Sequence, residues 1–341
     1  MATGITKNRV SFLGFVAAAV ASVALAIPTV QAQSRKIVQI DGSSTVYPVT
    51  EAMAEEFQKA NKNINVVVGV SGTGGGFKKF CNGETDISGA SRPIKSSEIE
   101  LCKNHKTGSG AAAPIEYIEI PVAYDALTVV VNKADNTWAN DITVEELNKM
   151  WSAPGNIKSW KQVRQDWPSD KIGFYAPGTD SGTYDYFKEV IVGKKGEMRT
   201  DFTASEDDNI LVQGVLGDKG GIAFFGYAYY KENKESLRAL KINGVAPSEE
   251  TVEDGSYSPL SRPIFIYVKK SSLNKPEVKA FVEYYMSASA RKLISEVGYV
   301  ELPSFAYEHG MTKINGLQVG TEFQKDPSTG KAPTVAQWAG Q

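Results

Sequence analysis

Histidine and cysteine are nearly missing: 341 residues hold only His105, His309, Cys81 and Cys102. So few nitrogen and sulfur ligands argue against metal centres built from them and against most histidine-based acid/base catalysis. An excess of one charge is also missing, since 37 Lys and Arg against 39 Asp and Glu leave a net charge of −2. No block of like charge is long enough to follow a nucleic-acid backbone, so nucleic acid is not an expected partner. What is present, 42% hydrophobic and 22% charged residues, suits a soluble globular chain too long for one ordinary core and well suited to two. Its chemistry must rest on hydroxyls, carboxylates and backbone groups. No metal, no cofactor and no catalytic residue are expected.

Residues 1–32 carry Lys7 and Arg9 but no acid, then an apolar run over 10–27, Pro28, and Val30-Gln31-Ala32. This is the three-part layout of a secretory signal cleaved after Ala32, and it predicts a periplasmic, secreted protein. The alternative is an uncleaved anchor, because the run approaches the roughly 20 residues that span a bilayer. No cysteine precedes Cys81, so lipidation at a new N-terminal cysteine is not available. Export also allows Cys81 and Cys102 to form a disulfide, which the chain-entropy argument values at about 3 kcal/mol. The competing reading is two buried free thiols.

The mature chain opens with a short apolar run at 36–41, followed by Val49, Met53 and Phe57 at helical spacing. These predict a strand and an amphipathic helix. A second strand at 64–70, a glycine-rich turn at 72–76, a helix at 76–81 and a strand at 86–90 continue the alternation of a doubly wound α/β domain. A long extended run at 115–131 leaves this domain, crossing near 122–126, and a second run at 262–268 returns. Between them, a helix at 141–152 with an acidic cap, a strand at 171–176, a turn at 177–182 and a helix at 183–192 repeat the opening arrangement. A helix at 277–287 packs back onto the first domain. The predicted organisation is lobe I over 33–122 and 267–319, lobe II over 123–266, and a surface tail at 320–341.

Three turns place hydroxyls and glycines directly before a helix: Gly42-Ser-Ser-Thr-Val-Tyr-Pro48, Gly72-Thr-Gly-Gly-Gly76 and Gly178-Thr-Asp-Ser-Gly-Thr183. The first N–H groups of a helix lack intrahelical partners and carry partial positive charge, so each turn is a fragment of an anion site. One such turn alone reads equally as ordinary capping. Three of them at the C-terminal ends of strands lie where open α/β sheets bind ligands. Competing glycine-loop chemistries fail on spacing: 72–79 offers neither G-x-x-x-x-G-K nor G-x-G-x-x-G, and Ser181 has one residue too many for G-x-S-x-G.

At these residues the chain resembles the phosphate-binding component of bacterial phosphate ABC importers, a family of secreted two-lobed solute-binding proteins. The resemblance runs from about Ile37 to Pro303 through the three turns together with Thr85-Asp-Ile-Ser-Gly-Ala-Ser-Arg92 and Gly221-Ile-Ala-Phe-Phe-Gly-Tyr227. It implies a type II periplasmic-binding-protein-like fold with two hinge strands, a monomer, inorganic phosphate as ligand and an inner-membrane ABC permease as partner. It further implies that Ser44, Thr45, the N–H of Val46, Thr73 and Gly74 hold the anion from lobe I, while Ser181, Gly182 and Thr183 close from lobe II. Arg92 falls where many members place an aspartate that accepts the anion's proton, and Pro177 stands where many place an arginine. The inference is that Arg92 supplies the missing cation and Asp180 the missing acceptor, Asp180 being equally readable as a cap. Those two departures keep phosphite, arsenate and sulfate open as ligands. A different class of function, a secreted hydrolase using Ser181 or Ser44, needs a base that neither histidine segment provides. A phosphate-sensing or adhesive surface protein is a third reading.

Overall fold

The computed structural model describes residues 36–179, 181–205, 207–329 and 332–340. The expected export signal at 1–32 and the candidate acceptor Asp180 lie outside the described residues.

Strands β1 (Lys36–Gly42), β2 (Ile64–Val70) and β3 (Ile87–Ala90) are parallel, with β1 in the middle. Parallel neighbours require crossover connections, and these are helices α1 (Tyr47–Ala60) and α2 (Gly72–Cys81). Helix α1 starts with Pro48 in its first turn and buries Val49, Met53 and Phe57, the predicted face. Helix α2 begins at Gly72 rather than at Gly76, so the glycine run is the helix's first turn and not a loop before it. The packing shows why: a Cβ on Gly76 would sit 2.5 Å from the Cα of Gly42. The run lets the helix lie directly on the end of β1. Helix α3 (Ser96–Lys103) contains Cys102, which is joined to Cys81 at the end of α2 by a disulfide across 21 positions.

The sixteen-residue strand β4 (Tyr117–Asn132) is buried at every position. It is followed by β5 (Asp141–Ile142) and α4 (Val144–Trp151). The expected helix at 141–152 is therefore shortened, because Thr143 rather than Asp141 caps it: its hydroxyl accepts from the N–H of Glu146, whose carboxylate returns to the Thr143 N–H. Then come β6 (Gly173–Ala176), α5 (Gly182–Phe187) running on into a wider turn at Lys188–Val192, β7 (Thr203–Ala204), α6 (Asp208–Gly217) and β8 (Gly221–Gly226). Helix α7 (Tyr227–Asn233), β9 (Leu237–Ala239), β10 (Lys241–Ile242) and α8 (Glu249–Glu253) lead to β11 (Ser261–Lys269). Helices α9 (Pro276–Tyr285), α10 (Ala288–Glu296), α11 (Ser304–Asn315) and the short α12 (Val335–Trp338) complete the chain.

The main sheet runs β2-β1-β3-β11-β4-β8-β6-β7, with β9 also on β4. Strand β4 pairs β11 through Ala126 and pairs β8 from Leu127 onward. Two strands therefore carry the chain between two halves, and this is the two-lobed architecture expected from the pair of extended runs.

The segment at 320–341 is not the expected surface tail: Phe323, Val335 and Trp338 are buried. Its anchor is Glu119, a fully buried carboxylate in β4. The hydroxyl of Thr321 and the N–H groups of Glu322 and Phe323 donate to it at 2.6, 2.7 and 3.1 Å, and so does the Tyr267 hydroxyl at 2.5 Å. A buried carboxylate without a cation must collect donors, and the C-terminal segment supplies most of them. Composition hid this because hydrogen bonding, not periodicity, holds the segment.

Candidate functional site

The turn after β1 is held by its own backbone and by Ser43. Its carbonyl accepts from the N–H groups of Val46 (3.1 Å) and Tyr47 (3.0 Å), and its Oγ accepts from the N–H of Thr45 at 3.2 Å. The Val46 N–H, one of the expected anion contacts, is thus occupied inside the turn. The hydroxyl of Tyr299 donates to the carbonyl of Thr45 at 2.6 Å and fixes the turn from the strip that follows α10. On the other lobe, Ser181 caps α5, its Oγ accepting from the N–H of Thr183 at 3.2 Å.

These two turns meet. A Cβ on Gly182 would lie 2.8 Å from the Cα of Thr45 and 3.1 Å from its Oγ1, so the bare glycine lets one lobe touch the other. Beside the contact lies a cavity of about 430 Å³ lined by Ser44, Asp125, Ser181, Gly182, Thr183 and Tyr299, among others. Asp125 and Asp208 face it, and among the described residues no lysine or arginine lines it. Burial pushes the Asp125 carboxyl up to about 6, although the guanidinium of Arg262 beside it acts in the opposite direction.

Thr73, Gly74 and Arg92 do not line this cavity. They form a neighbouring cluster in lobe I, where Thr73 Oγ1 lies 3.0 Å from Ser91 Oγ and accepts from the N–H of Ser91 at 3.2 Å. Arg92 donates to both oxygens of Glu98, Nη1 to Oε2 at 2.9 Å and Nη2 to Oε1 at 2.8 Å, and its guanidinium lies 5.8 Å from the centre of the Phe77 ring. Glu98 Oε1 is also 4.0 Å from the Cβ position of Gly74, so the ion pair sits against the start of α2. Lys79 is half-exposed and bonded to Asp41 at 2.6 Å, bracing the end of β1.

Four residues of this region went unassigned in the sequence: Asp125, Arg262, Tyr299 and Glu98. Asp125 and Arg262 did carry a signal. Each is a charge inside an otherwise apolar extended run, and a buried charge demands a partner. Tyr299 and Glu98 carried none, because Tyr299 bonds a turn 254 positions away and the pairing of Glu98 with Arg92, six positions back, depends on how the loop between them folds. His105 packs near Gly83, with ring atoms 3.5 Å from its Cβ position, and His309 meets Trp338 edge to face with ring centres 4.5 Å apart. Neither histidine lines the cavity. Among the described residues no group of three or more His, Cys, Asp or Glu is placed to hold a metal ion, and no helix is long and apolar enough to cross a membrane.

Two α/β lobes joined by two strands, with facing hydroxyl-rich turns and a cavity between them, define a two-lobed solute-binding protein. The comparisons agree, since residues 28–289 match the PBP superfamily domain. The chain is 54% identical to Protein SphX of Synechococcus elongatus over 313 residues, 90% of this chain and 89% of that one. It is 38% identical to the phosphate-binding protein PstS of Staphylococcus saprophyticus over 293 residues, 84% of this chain and 86% of that one. Among solved structures it is similar to a possible phosphate binding protein from Planctomyces limnophilus, with 44% identity, a TM-score of 0.76, and coverage of 83% of this chain and 99% of that one. The chain belongs to the PBP superfamily and, within it, to the family of SphX and PstS.

Proposed function

We propose that this chain captures inorganic phosphate between its lobes and delivers it to an ABC permease in the inner membrane, acting as an exported periplasmic monomer without catalysis of its own. The observation that carries this reading is the meeting of Thr45 with Gly182: two turns rich in hydroxyls and N–H groups, one from each lobe, converge beside a cavity of about 430 Å³. A tetrahedral oxyanion is the ligand such donors suit. Ser44, Thr45 and the Val46 turn hold it from lobe I, and Ser181, Gly182 and Thr183 hold it from lobe II. Thr73, Gly74 and Arg92 flank this position. Asp180 remains the candidate acceptor on the second turn.

Magnitudes are sufficient. Around ten charge-assisted hydrogen bonds at about 1.5–3 kcal/mol each give roughly 15–30 kcal/mol before costs. A micromolar constant requires only about 8 kcal/mol, which leaves the remainder for stripping water from the anion and closing the lobes. The proposed rigid units are 33–122 with 267–319, and 123–266. Closure is their rotation about β4 and β11.

The test takes one hydroxyl from each side. Thr45→Val and Ser181→Ala should each weaken phosphate binding in equilibrium dialysis by about tenfold or more, the worth of one charge-assisted bond. Wild-type affinity in either variant would remove that turn from the site.

A further inference from the structure

The cavity between the turns poses an electrostatic problem. Among the described residues it is lined by Asp125 and Asp208 and by no cation, so an anion entering it would meet two carboxylates. Some positive charge must act from just behind the lining. Arg92 and Arg262 both stand outside this lining and share a second cavity with Tyr186, but both ends of Arg92 are taken by short bonds to Glu98.

Arg262 is differently placed. It sits opposite Asp125 in the register of the two hinge strands, at the point where β4 leaves lobe I. Its Nε and Nη2 both reach the same oxygen of Asp125, each at a long 3.3 Å, so the carboxylate holds it loosely and on one side. Its guanidinium lies 3.6 Å from the centre of the Tyr186 ring of α5, in lobe II. Its Nη2 is 3.4 Å from Thr45 Oγ1, in lobe I. That same hydroxyl oxygen is the one that approaches Gly182. The guanidinium therefore stands one hydroxyl away from the contact between the turns, touching a residue of each lobe.

Building on the phosphate reading, we propose that Arg262 is the anion-binding guanidinium of this site and that Asp125 is its buried counter-ion in the unliganded protein. An oxyanion entering between the turns takes over the bonds that Asp125 holds loosely. A planar, permanently charged fork suits a tetrahedral oxyanion better than an ammonium does. The hinge location gives the charge a second use. A cation bonded to the anion, resting on Tyr186 and lying beside Thr45, ties ligand occupancy to both lobes at once.

The experiment is calorimetric titration of the full chain with phosphate and, separately, with sulfate. The variants are Arg262→Gln, Arg262→Lys, Asp125→Asn and Arg92→Gln, each checked for folding by circular dichroism. Arg262→Gln should weaken whichever of the two anions the wild type binds by at least about 30-fold, the usual result of removing one partner of a buried charge pair. Arg262→Lys should lose about tenfold, keeping charge but not the fork, and it serves as the readout if the glutamine variant fails to fold. Asp125→Asn should bind the anion more tightly than wild type, because the anion no longer competes with a carboxylate. Arg92→Gln should lose less than Arg262→Gln. Wild-type binding by Arg262→Gln, or weakened binding by Asp125→Asn, would overturn the proposal. Sulfate binding in place of phosphate, with Arg262 still required, would sink the phosphate reading and leave the arginine's role standing. A wild type that binds neither anion would overturn both.

Discussion

Arg92 and Arg262 both lie near the path of an entering anion, and each has one carboxylate, yet their surroundings differ. Arg92 and Glu98 meet end on through two bonds below 3 Å. Glu98 belongs to α3, and the disulfide ties α3 to α2, so this pair sits on a stapled part of lobe I. Arg262 and Asp125 meet through one oxygen at 3.3 Å, on the two strands that run between the halves of the sheet. A guanidinium whose geometry is already satisfied has little to offer a ligand, whereas a loosely held one can exchange partners. The difference teaches that proximity to an anion turn is a weaker guide than the quality of the bonds a cation already makes.

The comparison can be broken first by keeping the turns apart without touching either arginine. Gly182→Val would drive a branched side chain into the backbone of Thr45, 2.8 Å from the Cβ position. Overpacking of this kind costs about 1–3 kcal/mol or more, here charged against closure, so phosphate affinity should fall by about 100-fold, measured by calorimetry. Affinity near that of wild type would mean that the turns do not need to touch.

Stability supplies the second test. Opening the disulfide with Cys81→Ala and Cys102→Ala should cost about 3 kcal/mol in urea unfolding, as expected for a loop of this length. Phosphate affinity should hold within a few-fold, because the staple supports the Arg92 cluster rather than the hinge pair. A large loss of affinity with little loss of stability would reverse the ranking of the two arginines.

The third test uses pH. Asp125 has its carboxyl raised to about 6, first by burial and against the pull of Arg262, while an unfolded aspartate titrates near 4. Its folded form therefore holds its proton more tightly than the unfolded chain does. The stability contribution is fully present below about pH 4 and is lost as pH rises through 6. Arg262 from β11, Tyr186 from α5 and Tyr299 after α10 are the groups coupled to it, and Asp208 shares the cavity. Asp125→Asn should flatten the difference in unfolding free energy between pH 5 and pH 7, and an unchanged difference would assign it to another group. The smallest effect belongs to Arg92→Gln, which should weaken phosphate binding by about threefold, in line with a partly exposed ion pair. A 30-fold loss there would make the stapled cluster the main source of positive charge.

Much of this arrangement was legible from residue order. The alternation of apolar runs and helical spacing gave the strands and helices of lobe I, and two extended runs gave the hinge. The turns at 42–48 and 178–183 announced themselves by composition and do meet in space. What stayed hidden depends on distant partners. Arg262 stands out as a charge at an apolar strand, but its contacts with Thr45 and Tyr186 are visible only in the fold. Arg92 looks available until Glu98, on a separate helix, takes both its ends. Glu119 gave no sign that it would hold the C-terminal segment in place. For Arg262 and Glu119 the deciding contacts join residues far apart in the chain, and for Arg92 the decider is a carboxylate six positions on; periodicity encodes neither.

We propose that the two facing turns hold phosphate. Calorimetry on the full chain, stripped of phosphate and titrated with phosphate in the presence of excess sulfate, tests it most directly. One site at micromolar affinity or tighter, undisturbed by sulfate, is the predicted result. No heat of binding, or displacement of phosphate by sulfate, would contradict it.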